Sequence, residues 1–191
     1  MTNSDKKIDK TVSIPYDLYE SKEGNYFIGQ TPILTGEGGR ALGALVNPCN
    51  SGVNIYVNVI TVTNISELSL SAEIYLKYKV KGGLISDLVS SANLAFNPDP
   101  TPKGQIKYLN TATEAPSTSI AIFTRIVSPS STLVIDGSQI IIPPGESLVV
   151  YLGGILPIEQ NSTKVAFGWW EDEISNHCKC YDYSKPCRAY G

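Results

Sequence analysis

Apolar and polar residues alternate along most of this chain. In LSAEIYLKYKV (70–80), every second residue from Leu70 to Val80 is apolar, and polar side chains or tyrosine fill the positions between. Successive side chains of a β-strand point to opposite faces, so this pattern predicts a strand with one buried and one solvated face. A helix would need apolar residues three and four positions apart.

Further segments rich in β-branched and aromatic residues predict more strands. They lie at 25–34, 53–64, 118–127, 131–137, 139–144, 147–156 and 164–170, and turn signals such as Asp136-Gly137 and PPGE (143–146) separate them. Only LISDLVSSANLAF (84–96) has a weak helical pattern, which the proline-rich NPDPTPKG (97–104) ends. The chain is predicted to be all-β, a two-sheet antiparallel β-sandwich of jelly-roll type over residues 25–173.

Residues 1–24 have the composition of an extended N-terminal arm, with nine charged residues. Val12, Ile14, Tyr16 and Leu18 alternate at a spacing of two, so they would share one side of an extended chain. These four residues are predicted to form a donor strand that packs on its own domain or on a neighbouring subunit. Residues 174–191 form a third region, a tail that contains three of the four cysteines.

Composition excludes several classes of partner. The net charge is −3 and the basic residues are scattered, which argues against nucleic acid as a partner. The first residues contain no apolar signal region and no later segment reaches about 18 apolar residues, so we expect synthesis in the cytoplasm without membrane insertion. GEGGRA (36–41) loosely fits a dinucleotide loop, but Pro48 follows too soon for the required helix. We interpret this stretch as a hairpin loop and expect no cofactor.

Catalytic chemistry is also poorly supported. His177 is the only histidine, and it precedes Cys178 directly. Adjacent residues of an extended chain point to opposite faces, and a terminal tail offers no pocket for a substrate. The sequence therefore predicts a protein that is not an enzyme.

Trp169-Trp170 precedes an acidic run, Glu171 to Glu173. In a carbohydrate-binding sandwich, such a pair could supply a stacking platform beside hydrogen-bond acceptors. The alternative, which we favour, is that one tryptophan covers the core and the acidic run is a solvated strand end.

The tail cysteines admit two interpretations, zinc or disulfides. His177, Cys178, Cys180 and Cys187 could ligate zinc, but the C-x-C spacing is a poor match to structural zinc sites. Cys49 makes an even total of four cysteines, which favours disulfides. Residues i and i+2 of an extended chain are about 6.5–7 Å apart, so each cysteine of the C-x-C pair more readily reaches a different partner. We favour partners in another copy of the chain and leave the connectivity open.

The stretches GQTPILTGEGG, LVNPCNSGVNIYVNVITVTN, PPGESLVVYLGG and AFGWWEDE, between a charged arm and a cysteine-bearing end, carry a resemblance. The chain resembles an uncharacterised family of small β-rich proteins from spore-forming Firmicutes. Its layout is also similar to jelly-roll subunits of endospore appendages. That similarity implies an N-terminal connector that inserts into the next subunit and cysteines that cross-link the fibre, although residues 1–24 contain no cysteine.

These observations predict a structural subunit that assembles head to tail into a filament. Strand donation would join the subunits, and disulfides would form at the spore surface or outside the cell after the mother cell lyses. The alternatives are a monomeric sandwich that binds carbohydrate or a surface, and a particle protein that forms closed rings.

Overall fold

In the computed structural model, which describes residues 13–113, 115–116 and 119–174, the chain forms one α-helix, a short 3₁₀ turn and eleven β-strands. The helical elements are α1 (Tyr16–Glu23) and the 3₁₀ turn (Glu37–Gly39). The strands are β1 (Tyr26–Gln30), β2 (Ala41–Val46), β3 (Val53–Asn64), β4 (Leu70–Leu76), β5 (Leu84–Ile85), β6 (Val89–Ser91), β7 (Gln105–Leu109), β8 (Ile120–Val127), β9 (Ser131–Ile142), β10 (Ser147–Leu152) and β11 (Thr163–Glu173).

The strands form two antiparallel sheets, which confirms the predicted β-sandwich. One sheet has five strands in the order β6-β1-β11-β3-β9, and the other has six in the order β5-β7-β2-β10-β4-β8. Nearly every connection crosses from one sheet to the other; only β4 to β5 and β7 to β8 stay within a sheet. This repeated crossing is typical of jelly-roll sandwiches.

The core lies between the sheets, and the alternation read from the sequence builds it. In β3, Ile55, Val57, Ile60 and Val62 are fully buried while the residues between them are partly exposed. Trp169 is the largest fully buried side chain, and its ring centroid lies 5.9 Å from that of Phe27. Apolar burial of this kind is the main favourable term in folding.

The predicted extended arm is wrong for Tyr16 and Leu18, because residues 16–23 form helix α1. Pro15 precedes the first turn, and Gly24 ends the helix with a left-handed φ of 83°. The amides of Gly24 and Asn25 then satisfy the last carbonyls, those of Ser21 and Glu20. Local start and stop signals therefore outweigh the two-residue alternation. Ile14 lies just before the helix and is half-buried, and Val12 falls outside the described residues.

Two other local predictions were wrong, those for Asp136-Gly137 and GEGGRA. The weak helical pattern of residues 84–96 does not produce a helix, since they contain the short strands β5 and β6. Asp136-Gly137 is not a turn, because β9 runs through it and accommodates the extra residues as a bulge opposite Asn58. GEGGRA is not a hairpin loop, since it carries the chain from β1 in one sheet to β2 in the other.

Candidate functional site

The chain leaves the sandwich toward its N-terminus at an aromatic cluster on the outer face of the five-stranded sheet. Tyr16, the first residue of α1, meets the Trp170 ring edge-on with centroids 5.8 Å apart. Tyr56 on β3 stacks against the same indole, with centroids 5.4 Å apart and an interplanar angle of 4°. Such aromatic pairs contribute about 0.5–1.5 kcal/mol beyond burial. The cluster therefore fixes the point at which residues 1–15 join the body.

Carboxylates surround this aromatic cluster of Tyr16, Tyr56 and Trp170, which we call the anchor. Glu20 is buried on α1 and accepts a 3.1 Å hydrogen bond from the Asn25 amide. Hydrogen bonding to Glu20, with the nearby charge of Asp172, raises the pKa of Tyr16 to about 12. Burial, and then the Glu20 charge, raises the pKa of Asp172. Negative charge is therefore concentrated at the anchor, and protonation of Asp172 favours the packing of α1 against the sheet.

The far flank of the six-stranded sheet ends in β8, which pairs only with β4 within the described sheet. Almost every residue of β8 is exposed or half-exposed, and Val127 alone is buried. Ile120, Phe123 and Ile126 present large apolar side chains to solvent. A long edge with unpaired amides and carbonyls and apolar side chains is a ready template for another strand.

Phe123 shows that the core is not closed at this flank. It lies opposite Ile74, which is fully buried, so the two side chains share the face that looks between the sheets. Phe123 is nevertheless 38% exposed, and the guanidinium of Arg125 lies over its ring at 4.8 Å. A core-facing aromatic ring in solvent is a site that an added apolar side chain would cover.

The tryptophan platform, which was the less favoured of the two interpretations of Trp169-Trp170, does not form. Trp169 is fully buried, so a stacking role for it is wrong, and our preferred interpretation of it as a core residue is confirmed. Trp170 is 9% exposed and already stacks on Tyr56. Neither indole presents a free face to a sugar.

Glu171 is a structural residue that the sequence analysis misread as part of a solvated strand end. It is buried, and its carboxylate accepts hydrogen bonds from the Lys103 amide, the Gly104 amide and the Trp169 indole at 2.8–3.0 Å. It thereby fixes the turn that leads into β7. No local signal in the sequence pairs it with residues nearly seventy positions away.

The match to a family model covers residues 1–176. The chain belongs to DUF6143, a family of unknown function. No curated protein and no solved structure matches the chain.

The part of the chain that matches DUF6143 contains the N-terminal residues, α1 and the whole sandwich, including β8. His177, Cys178, Cys180 and Cys187 lie beyond the match and also outside the described residues, so their predicted roles stay predictions. Cys49 is exposed in the turn after β2 and, within the part of the chain that the structure describes, forms no disulfide. An exposed thiol at this position is accessible to a partner cysteine.

The described residues form neither a metal-binding cluster nor a membrane-spanning helix. Across residues 13–113, 115–116 and 119–174, no three histidine, cysteine or acidic side chains are grouped so that they could hold a metal ion. The helix within these ranges is too short to span a membrane.

Proposed function

We propose that this protein is a non-catalytic structural subunit that assembles head to tail, with the N-terminal segment of one copy adding as a strand to β8 of the next. The observation that carries the proposal is the exposure of Phe123 on the core-facing side of an unpaired edge strand. Backbone hydrogen bonds to β8 would supply affinity, and apolar side chains of the incoming segment would cover Phe123.

The donor is the segment that ends at Ile14. Tyr16 and Leu18 belong to α1, so they are not part of the donor strand, and Tyr16 anchors the segment on Trp170. Val12 and Ile14 keep the alternation of a strand and remain the donor residues of the proposal. Fourteen extended residues span about 45 Å, which is enough to reach a neighbouring sandwich.

Donor and acceptor lie on different surfaces. The segment departs from the outer face of the five-stranded sheet, beside Trp170, whereas β8 is an edge of the six-stranded sheet. A contact between two different surfaces is heterologous, so it continues from copy to copy unless the rotation closes a ring. A filament is the open-ended product of such a contact, and it is the assembly that we propose.

Disulfides reinforce the filament in this proposal. Cys49 is exposed, and the tail adds Cys178, Cys180 and Cys187. Since disulfides persist only in oxidising surroundings, the cross-links would form outside the producing cell. The resemblance to endospore appendage subunits supports the spore surface as that location.

Electron microscopy of the full chain, with a parallel non-reducing gel, tests the proposal. We expect filaments, and a ladder of covalent multimers that reductant removes. The variant Val12→Ser/Ile14→Ser should remain folded and monomeric, because it keeps the sandwich but loses the apolar donor positions. The control Thr11→Ser/Ser13→Thr changes the neighbouring positions conservatively and should still form filaments.

Filaments from the Val12→Ser/Ile14→Ser variant would refute strand donation by this segment. A monodisperse full-length protein at high concentration would refute assembly itself. Filaments that dissociate in denaturant without reductant would retain assembly and remove the disulfide reinforcement.

A further inference from the structure

The outer faces of the two sheets differ in how they are covered. On the six-stranded sheet, the chain's own residues bury Leu42, Ala44, Val149 and Tyr151 beneath partners that include Tyr78 and Val80. On the five-stranded sheet, α1 covers only the end that carries Trp170. Beyond that end lies a groove of about 580 Å³ that no side chain of the described residues fills.

Small residues make this groove. Ala166 and Gly168 on β11 form its floor, Ile28 stands on one side, and Val59 and Thr61 stand on the other. Apolar surface dominates the lining, which residues 87–90 complete as a wall. We call this the β11 groove.

A side-chain bridge separates the β11 groove from the aromatic cluster. The Asn58 amide on β3 donates a 2.9 Å hydrogen bond to the Tyr26 hydroxyl on β1, across β11. A Cβ at Gly168 would lie 2.7 Å from that hydroxyl and 2.9 Å from Val59. Glycine is therefore required where the bridge crosses, and the groove and the cluster are neighbours on one continuous face.

The N-terminal end of the described chain lies near this groove. Tyr16 is anchored on Trp170, and Gly168 and Ala166 follow Trp170 at alternate positions toward the start of β11. Two and four strand residues correspond to about 7 and 13 Å, whereas twelve extended residues span about 40 Å. The segment is long enough to cross the cluster and fill the groove of its own subunit.

The chemistry of the segment matches the lining. Ile8 and Val12 are its large apolar residues apart from Met1, and they lie at even spacing, so both would face the floor of an extended docking. Lys6 and Lys10 lie on the same side of an extended chain as Ile8 and Val12, so their apolar stems would lie along the groove while their ammonium groups reach its rim, where Asp87 stands. With Asp5 and Asp9, the segment has three basic and two acidic side chains, and its excess positive charge is electrostatically favourable beside the acidic lip.

The geometry points to residues 1–12 of the same chain as the occupant of the β11 groove. The docked segment continues the contact that Tyr16 makes with Trp170 and covers the exposed Ile28. This inference does not rest on assembly, since it concerns a single subunit. Where both hold, the groove competes with β8 of a neighbour for the same segment and holds it until a neighbour is available.

Limited trypsin digestion measures the docking, because Lys6, Lys7 and Lys10 are cleavage sites within the segment. The digestion uses the full chain with Phe123→Lys and Ile126→Lys added, so that assembly at β8 cannot protect the segment. Ile28→Glu, in the groove, should accelerate cleavage at these lysines roughly fivefold or more, because proteolysis follows the population of the undocked form.

Ile65→Glu is the matched control. Ile28 and Ile65 are 49% and 50% exposed, but Ile65 directly follows β3 and does not line the groove. The control should leave the cleavage rates unchanged. Ala166→Arg, which places a long side chain on the groove floor, should accelerate cleavage as Ile28→Glu does. Agreement between the two variants would exclude a folding defect of one of them as the cause.

Equal cleavage rates in the parent, Ile28→Glu and Ala166→Arg chains would overturn the inference. Protection that grows with protein concentration would also overturn it, because the occupant would then be a second copy. Filaments formed by the chain without the β8 substitutions test the proposed function separately, so either idea can fail alone.

Discussion

The two flanks of the sandwich end in different ways. On one flank, the sheets end in β5 and β6, which have two and three residues. On the other, they end in β8 and β9, which have eight and twelve residues and contact each other. Very short edge strands protect a sheet from pairing with another chain, whereas a long exposed edge invites it. The fold thus protects one flank and leaves the other open to a partner.

The open flank is also where core burial is incomplete. Phe123 faces the space between the sheets and remains in solvent, whereas Trp169 is fully buried. A strand added beside β8 would bury apolar surface as well as pair backbone groups. This difference between the flanks is the physical basis for assigning β8 the role of acceptor.

The largest expected effect is the loss of assembly when a charged residue is placed on β8 at the open flank. Ile126→Lys should abolish filaments, because lysine on an edge strand opposes the approach of another strand. Stability should change by only about 0.5 kcal/mol, since Ile126 is 51% exposed. Electron microscopy and sedimentation measure the assembly. Leu94→Lys, just after β6 on the protected flank, is the control. Loss of filaments in that variant would contradict the assignment of assembly to the open flank.

The next largest effect is a loss of stability near the protected flank. Glu171→Ala removes the acceptor of three N–H donors, the buried donors of Gly104 and Trp169 and the partly buried amide of Lys103. We expect a loss of about 3 kcal/mol in the free energy of unfolding. Denaturant titration measures the loss, and amide exchange should rise in β7 before it rises in β8.

Glu173→Ala is the matched control for this variant. Glu173 lies two residues further along β11, and it is exposed. Its replacement should change stability by less than about 0.5 kcal/mol. Equal losses in the two variants would mean that the Glu171 carboxylate does not hold the turn before β7.

Sequence alone was sufficient where one face of a strand is buried along its whole length. The bounds of β3 were predicted at 53–64 and found there, because each buried residue alternates with a more exposed one around the bulge. β4 ends at Leu76, four residues early, since Lys77 adopts a positive φ of 61°. Alternation of residue types does not record such a local backbone conformation.

The candidate site required information that no local pattern carries. That β8 is an edge depends on strand order, which long-range pairing determines. α1 was not predicted because Tyr16 and Leu18 also fit a two-residue alternation, although Pro15 and Gly24 are typical helix boundaries. Glu171 was misread because its partners lie in a distant turn.

A smaller effect concerns the sheet next to the protected flank. Gly168→Ala places a methyl group 2.7 Å from the Tyr26 hydroxyl, so the bridge from β1 to β3 must shift. Overpacking of this kind costs roughly 1–3 kcal/mol. Thermal unfolding measures the cost. Asn58→Ser removes the bridge without adding bulk, and a larger loss in that variant than in Gly168→Ala would contradict the steric explanation.

The smallest effect is a pH dependence of the anchor. The pKa of Asp172 is raised in the folded state by burial and then by Glu20, so its carboxyl binds a proton more tightly when α1 is docked. The charged carboxylate of Asp172 therefore disfavours docking of α1 at neutral pH. Docking becomes more favourable as the pH falls through the raised pKa. The protection of α1 amides, which is the intrinsic exchange rate divided by the observed rate at the same pH, should increase upon mild acidification, and Asp172→Asn should remove this increase. Protection that decreases on acidification would reverse the assigned sign.

A mixing experiment tests the central claim, that one subunit donates residues 1–14 to the β8 edge of another, most directly. One partner lacks residues 1–14 and keeps β8; the other keeps the segment and carries Phe123→Lys/Ile126→Lys. Native mass spectrometry should show monomers of each alone and a one-to-one heterodimer, with nothing larger, in the mixture. The absence of a heterodimer, or assembly of either variant alone, would contradict the account.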